Sequence, residues 1–262
     1  MTPFSLLLPS SSTNPAVKEI TYHFEGNPTP PVKVYYFDFD GKGEDLRTAL
    51  YHAQVNFIDV RINRETFESL KASGNVLAFG QLPALLTSDG EHILVQSHAI
   101  LRYITTLSEI GSTMYPRDDP IEAAYIDALM DFQFDALTGL TVSSYPERAG
   151  FDCLLESAPE SITAIRKALN EMVLPTHLTS LRRAFRHVGD DGPWLMGRTM
   201  PSIADFCWFH RFKLLGGATI EGIDQDIVIR DYDLKAMMKA FDALPSIQEY
   251  REKRDAALSI SK

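Results

Sequence analysis

Between Val32 and Leu107 the hydrophobic pattern switches between strand and helix periods in a fixed order, and that order constrains the fold more than any other feature. Val32–Phe37 is a short apolar run rich in β-branched and aromatic residues, which predicts a buried strand. A polar turn with two glycines, Asp38–Gly43, follows it. Leu46, Ala49, Leu50 and Ala53 then recur at i, i+3, i+4 and i+7, one face of a helix. Phe57–Ile62 reads as a second strand, residues 64–73 as a short helix, and Gly74 and Asn75 as a loop. Leu82–Thr87 and His92–Gln96 read as strands joined by the turn Ser88-Asp89-Gly90. Ser97 caps a helix whose apolar face holds Ile100, Leu101, Ile104 and Leu107. A β-α-β unit followed by a hairpin and a closing helix is the thioredoxin-like arrangement, although open α/β sheets share much of it.

Past Tyr115-Pro116-Arg117-Asp118-Asp119-Pro120 the strand signal fades, and residues 121–142, 160–187, 202–215, 233–243 and 246–257 read as helices. The expectation is an α/β domain over residues 32–110 and an all-α domain over 118–262, with the linker inside 108–120. A chain of 262 residues has room for both. Residues 1–31 are a Ser/Thr/Pro-rich extension, expected to be mostly flexible, in which residues 20–24 could add an edge strand. Its apolar run Phe4–Leu8 is too short to span a bilayer, and no basic residue precedes Lys18 as a signal peptide would require.

The net charge is −10, from 25 basic and 35 acidic residues, which argues against nucleic acid and against anionic membrane surfaces as partners. Cys153 and Cys207 are far apart in apolar or helical contexts and make no disulfide framework. Each reads as a small buried hydrophobe, and a reducing, cytoplasmic compartment is the expectation.

Four segments carry a resemblance. They are Lys33-Val34-Tyr35-Tyr36-Phe37, Gly41-Lys42-Gly43-Glu44, Phe79-Gly80-Gln81-Leu82-Pro83-Ala84-Leu85, and Gln96-Ser97-His98-Ala99-Ile100-Leu101-Arg102-Tyr103. This set resembles the sigma-class glutathione transferases and, beyond them, the wider alpha, mu and pi group, well over residues 32–106 and more loosely in the helical half. Trp194-Leu195-Met196-Gly197 followed by Pro201-Ser202-Ile203-Ala204-Asp205 resembles the family's glycine turn leading into a capped helix. The resemblance implies a glutathione-binding thioredoxin-like domain, an all-helical second domain and a homodimer.

It also implies a chemistry. The glutathione thiol, like free cysteine, has a pKa of roughly 8.5, so little of it is thiolate at neutral pH. A hydroxyl aimed at the sulfur stabilises the anion. Tyr36 matches the family's catalytic tyrosine, with Phe37 beside it among the glutathione contacts. On a regular strand Tyr35 faces the opposite way, so a register shift of one residue would exchange the two, and both could be core aromatics.

Pro83 is a cis proline in the thioredoxin-like family, which lets Leu82 pair with the peptide-like middle of glutathione; the bland alternative is an edge-strand proline. Gln96 and Ser97, with Gly80 and Gln81 before Pro83, match the γ-glutamyl site, where a helix N-terminus suits a carboxylate. Alone, a serine there is an ordinary cap. At the glycine-carboxylate end Phe67 and Lys71 stand where relatives commonly have tryptophan and lysine, and Lys42 stands where arginine is usual.

Asp127, Asp131 and Asp135 line one helix face, either as a solvated acidic stripe or, by the resemblance, with Asp135 reaching a neighbouring subunit's γ-glutamyl amine. Phe134 occupies one position where some relatives place a metal-binding aspartate, so no metal is expected. Ser202 and Asp205 predict a capping box. The electrophile pocket is expected near Phe39 and Asp40, with Phe132, Phe209 and Phe212 as lining or core. The implied function is conjugation of glutathione to small hydrophobic electrophiles. The alternatives are a glutathione-dependent isomerase or peroxidase, or a fold kept for binding or structure with little catalysis.

Overall fold

In the computed structural model, which describes residues 7–12, 14–74, 77–151, 159–184, 192–217 and 220–260, strands β1 (Lys18–Tyr22), β2 (Val32–Phe37), β3 (Phe57–Ile62), β4 (Ala84–Leu86) and β5 (Ile93–Val95) form one sheet in the order β1-β3-β2-β4-β5. Helix α1 (Gly41–His52) follows β2, α2 (Arg64–Ala72) follows β3, and α3 (Ser97–Ile104) follows β5. β2 and β3 run parallel, with Val34 opposite Asp59 and Tyr36 opposite Arg61; every other pairing is antiparallel. This is the thioredoxin-like arrangement that the alternating periods predict.

The helix face foreseen in α1 is the buried one: Leu46, Ala49 and Leu50 are inaccessible to solvent, as is Ala53 just beyond the helix. Tyr35, Val60, Ile62, Leu70, Ala84 and Leu86 form another cluster, joined by Leu8 and Val17 from the N-terminal extension. That extension also supplies β1, which pairs with β3 along the sheet edge.

The boundaries differ from the sequence reading where backbone chemistry intervenes. Pro83 has no N–H to give to a ladder, so pairing of β4 with β2 begins at Ala84 and the strand is shorter than the apolar run. α3 starts at Ser97 with Gln96 as its N-cap, one residue before the serine cap expected, because Gln96 sits at φ 71°, outside the helical region. Leu107 lies past the end of α3. The linker stretch carries a short helix of its own, α4 (Glu109–Thr113), whose Ser108 cap accepts from the Gly111 N–H.

From Pro120 onward every described element is helical: α5 (Pro120–Ser144), α6 (Pro159–Ala168), a π-helical stretch Leu169–Val173, α7 (Leu174–Ala184), α8 (Ile203–Gly216), α9 (Tyr232–Asp242) and α10 (Pro245–Ile260). The chain divides into two compact units, Met1–Asp118 with Asp242–Lys262, and Asp119–Phe241. α10 therefore returns to the sheet unit, where the Tyr250 ring meets Tyr22 and Tyr51 at 5.6 and 5.5 Å.

In the second unit α8 is buried almost all round, from Ile203 to Phe212, and it starts at the expected capping box. Asp205 Oδ2 accepts from the N–H and hydroxyl of Ser202 at 2.7 and 2.8 Å, and Oδ1 from the Leu195 N–H at 2.8 Å. The carboxylate thus ties the Leu195–Gly197 turn to the start of the helix. Phe209 and Phe212 are buried in its core, and so is Cys207; Cys153 lies outside the described residues.

Candidate functional site

β2 ends by presenting two adjacent tyrosines to different surroundings. Tyr35 lies in the apolar cluster with Val60 and Ile62, and burial pushes its hydroxyl well above the ordinary phenol range. Tyr36 turns instead to the first turn of α1. Its hydroxyl accepts from the Lys42 N–H at 3.2 Å, at the positive end of the helix, where negative charge in contact with it is favoured.

The glycines of the turn make this approach possible. A Cβ at Gly41 would lie 2.5 Å from the Tyr36 hydroxyl oxygen, and one at Gly43 only 2.4 Å from the ring. Gly41 also sits at φ 43°, a conformation that a residue with a side chain rarely adopts.

Several other residues singled out in the sequence contact one another in the first unit. The Phe37 ring stands edge-on to Phe67 at 5.3 Å, and Lys71 Nζ lies 5.8 Å from the Phe67 ring centre. The stem of Lys71 runs past Gly80, where an added Cβ would be 3.4 Å from its Cγ. Gln96 Nε2 donates to Gln81 Oε1 at 3.3 Å, joining the loop before Pro83 to the start of α3. The Leu82–Pro83 bond is cis, Leu82 packs against the Tyr35 cluster, and Ser97 is buried at the first position of α3.

Gln96 is held at a positive φ without being glycine, which costs of order 1–3 kcal/mol and persists only where the surroundings impose it. Asp135 stands apart in sequence from this group: it is exposed on α5 of the second unit, as is Asp131, while Asp127 is half-buried. Phe132 lines an apolar cavity of about 340 Å³ within that unit, together with Tyr125, Leu129, Leu181 and Met196.

The sequence reading missed the charged residues beneath the turn. Arg47 is fully buried, with its Nε 2.8 Å from Asp59 Oδ1 and its Nη1 3.3 Å from Glu44 Oε2. Burial opposes its charge, but the Asp59 and Glu44 carboxylates more than offset that and hold the guanidinium protonated. Arg61 Nε donates to Asp59 Oδ2 at 2.7 Å and its Nη1 to Asp38 Oδ1 at 3.1 Å, and Lys18 reaches Asp38 Oδ2 at 2.8 Å. Burial would raise the Asp38 carboxyl, yet Lys18 and Arg61 bring it below its ordinary value. One signal was available: Asp59 and Arg61 alternate with apolar residues inside a short strand that is otherwise hydrophobic.

As for cations, Asp89, Glu91 and His92 bring their ligand atoms within 4.8 Å of one another in the β4–β5 turn. All three are exposed, and Asp89 accepts from the Thr87 hydroxyl and the Glu91 N–H, the bonds of an ordinary turn. Among the described residues no helix is long and apolar enough to cross a membrane.

The chain matches the family model for the glutathione S-transferase N-terminal domain over residues 31–106 and that for the glutathione S-transferase C-terminal domain over residues 152–254. It is 30% identical over 229 residues to glutathione S-transferase 1 of Ascaris suum, covering 86% of this chain and 97% of that protein. It is 25% identical over 225 residues to hematopoietic prostaglandin D synthase of Gallus gallus, covering 86% and 97%. Among solved structures, a pi-class glutathione S-transferase of Onchocerca volvulus superposes with a TM-score of 0.63 at 26% identity, over 86% of this chain and 94% of that one. The chain belongs to the glutathione S-transferase family of enzymes.

Proposed function

We propose that this protein conjugates the glutathione thiolate to small hydrophobic electrophiles, with Tyr36 as the group that stabilises the thiolate. The observation that carries the reading is the Tyr36 hydroxyl, seated against glycines and bonded to the Lys42 N–H at the start of α1. A hydroxyl whose oxygen already accepts from a main-chain amide is well set to direct its own proton at a sulfur anion. The thiol proton passes to solvent, the sulfur forms a bond to the electrophilic carbon, and the leaving group departs with the bonding pair.

In this reading glutathione lies along the edge of the first unit. Leu82 pairs with its peptide backbone; Gln81, Gln96 and Ser97 take the γ-glutamyl end, and Lys42, Phe67 and Lys71 take the glycine carboxylate. The enzyme is a cytoplasmic homodimer of the sigma-like, tyrosine-type group with a detoxifying role, and Asp135 serves the partner subunit's glutathione. The similarity to a prostaglandin D synthase supports a second reading, glutathione-dependent isomerisation of a lipid substrate at the same site.

The test is glutathione binding and chlorodinitrobenzene conjugation by wild type and Tyr36→Phe. Turnover should fall roughly a hundredfold in the variant with binding retained. Equal turnover would remove Tyr36 from the mechanism, and absence of binding in the wild type would overturn the enzyme reading.

A further inference from the structure

The turn Phe37–Asp40 carries the chain from Tyr36 into α1, so its placement decides where the Tyr36 hydroxyl and the Lys42 N–H meet. Its carbonyls are held from within the protein. Arg47 Nη2 donates to the Phe37 carbonyl and Nη1 to the Phe39 carbonyl, both at 3.1 Å. Arg47 in turn lies between Asp59 and Glu44.

Glu44, only 2% exposed, has its other oxygen committed to the far end of the chain. Arg254 Nη1 of α10 donates to Glu44 Oε1 at 2.7 Å, and the same nitrogen lies 3.7 Å from Asp40 Oδ1. One helical turn earlier, the Tyr250 ring centre lies 5.7 Å from the Arg254 guanidinium and limits where it can go. On the other side of the turn, Asp38 is held by Arg61 of β3 and Lys18 of β1.

We infer that Arg254 is a positioning residue for thiol activation: through Glu44 and Arg47 the C-terminal helix fixes the turn that presents Tyr36 and the Lys42 amide. The inference rests on the reading that Tyr36 stabilises the thiolate. Without Arg254, Glu44 keeps Arg47 as its nearest cation, and a guanidinium drawn towards Glu44 holds the Phe37 and Phe39 carbonyls less well. Donors that stabilise a developing anion are sensitive to such displacements, because their worth depends on being placed before the charge forms.

The experiment uses the full chain as wild type, Arg254→Gln, Arg254→Lys, Tyr36→Phe and the Tyr36→Phe/Arg254→Gln double variant. Three quantities are read: the ultraviolet titration of bound glutathione thiolate, glutathione affinity, and kcat with chlorodinitrobenzene. Arg254→Gln should raise the apparent thiol pKa and lower kcat roughly tenfold while glutathione affinity stays within about twofold. Arg254→Lys, which keeps a charge that can reach Glu44, should recover most of the loss. In the Tyr36→Phe background Arg254→Gln should add nothing to the titration.

An Arg254→Gln protein with lowered thermal stability but wild-type titration and kcat would overturn the inference, leaving Arg254 a purely structural contact. So would an equal effect in both backgrounds. If Tyr36→Phe alone leaves the titration unchanged, the reading of Tyr36 falls first and the inference falls with it. Should Arg254→Gln not fold, Arg254→Met keeps the apolar stem and is judged by the same criteria.

Discussion

The two units bury carboxylates in opposite ways. In the first, Asp59 and Glu44 lie against Arg47, Arg61 and Arg254, so charge is met by charge. In the second, Asp205 is fully buried and is met by two main-chain N–H groups and a hydroxyl. Burial pushes the Asp205 carboxyl up to about 6, against the pull of those donors, whereas the arginines of the first unit stay charged throughout the accessible pH range. The first arrangement fixes a turn beside the candidate site at any working pH. The second fixes a helix end, and its strength depends on protonation.

The largest expected effect breaks the first arrangement. Arg47→Met leaves Asp59 and Glu44 buried with one fewer cation and removes the donors to the Phe37 and Phe39 carbonyls. Removing one partner of a buried ionic group costs about 3–5 kcal/mol, because the remaining charge is left uncompensated. Chemical denaturation should show an unfolding free energy lowered by that amount. A loss below about 1 kcal/mol would mean that Arg61 and Arg254 suffice for the carboxylates and that the cluster is redundant.

Next in size is Gly41→Ala, which leaves the charges alone and strikes the turn itself. The new Cβ would lie 2.5 Å from the Tyr36 hydroxyl and 2.8 Å from the Phe39 ring, at a φ of 43° that alanine adopts poorly. Tyr36 must move, and displacement of a thiolate-stabilising group by about 1 Å costs roughly a hundredfold in kcat/KM. The control is Gly74→Ala, where nothing lies within 4 Å and the φ of 69° adds only backbone strain. If both variants lose activity equally, the effect is strain and not the position of Tyr36.

The sequence made the fold legible because the signals were local. Period changes marked β2 and β3 to the residue and showed that α1 and α3 exist. However, α1 already begins at Gly41, inside the expected turn Asp38–Gly43, and α3 ends at Ile104, before Leu107. Pro83 marked the cis bond through the family pattern. At the site, the order of Tyr36, Gln81, Pro83 and Gln96 was readable as a motif, but the reasons for their placement were not. Arg47 and Glu44 looked like ordinary charges because no local pattern reveals that α1 is buried on almost every side. Arg254 was harder still: its partner lies 210 residues away, and only folding brings α10 back to the sheet. Long-range ion pairs leave no periodic trace in a single sequence.

The smallest effect belongs to the second unit. Asp205→Ala removes a capping box and should cost about 1 kcal/mol at neutral pH, while turnover per folded molecule stays at the wild-type level. Its pH dependence follows from the direction of the shift. The folded carboxyl titrates near 6 and the unfolded one near 3.8, so between those values the native state holds the proton more firmly. The contribution of Asp205 is therefore fully present below pH 3.8 and declines as pH rises to about 6. The stability difference between wild type and Asp205→Ala should widen as pH is lowered from 7 to 5 in parallel denaturation curves. A difference that narrows instead would show that the three donors outweigh burial, and that Asp205 is as firmly charged as the carboxylates of the first unit.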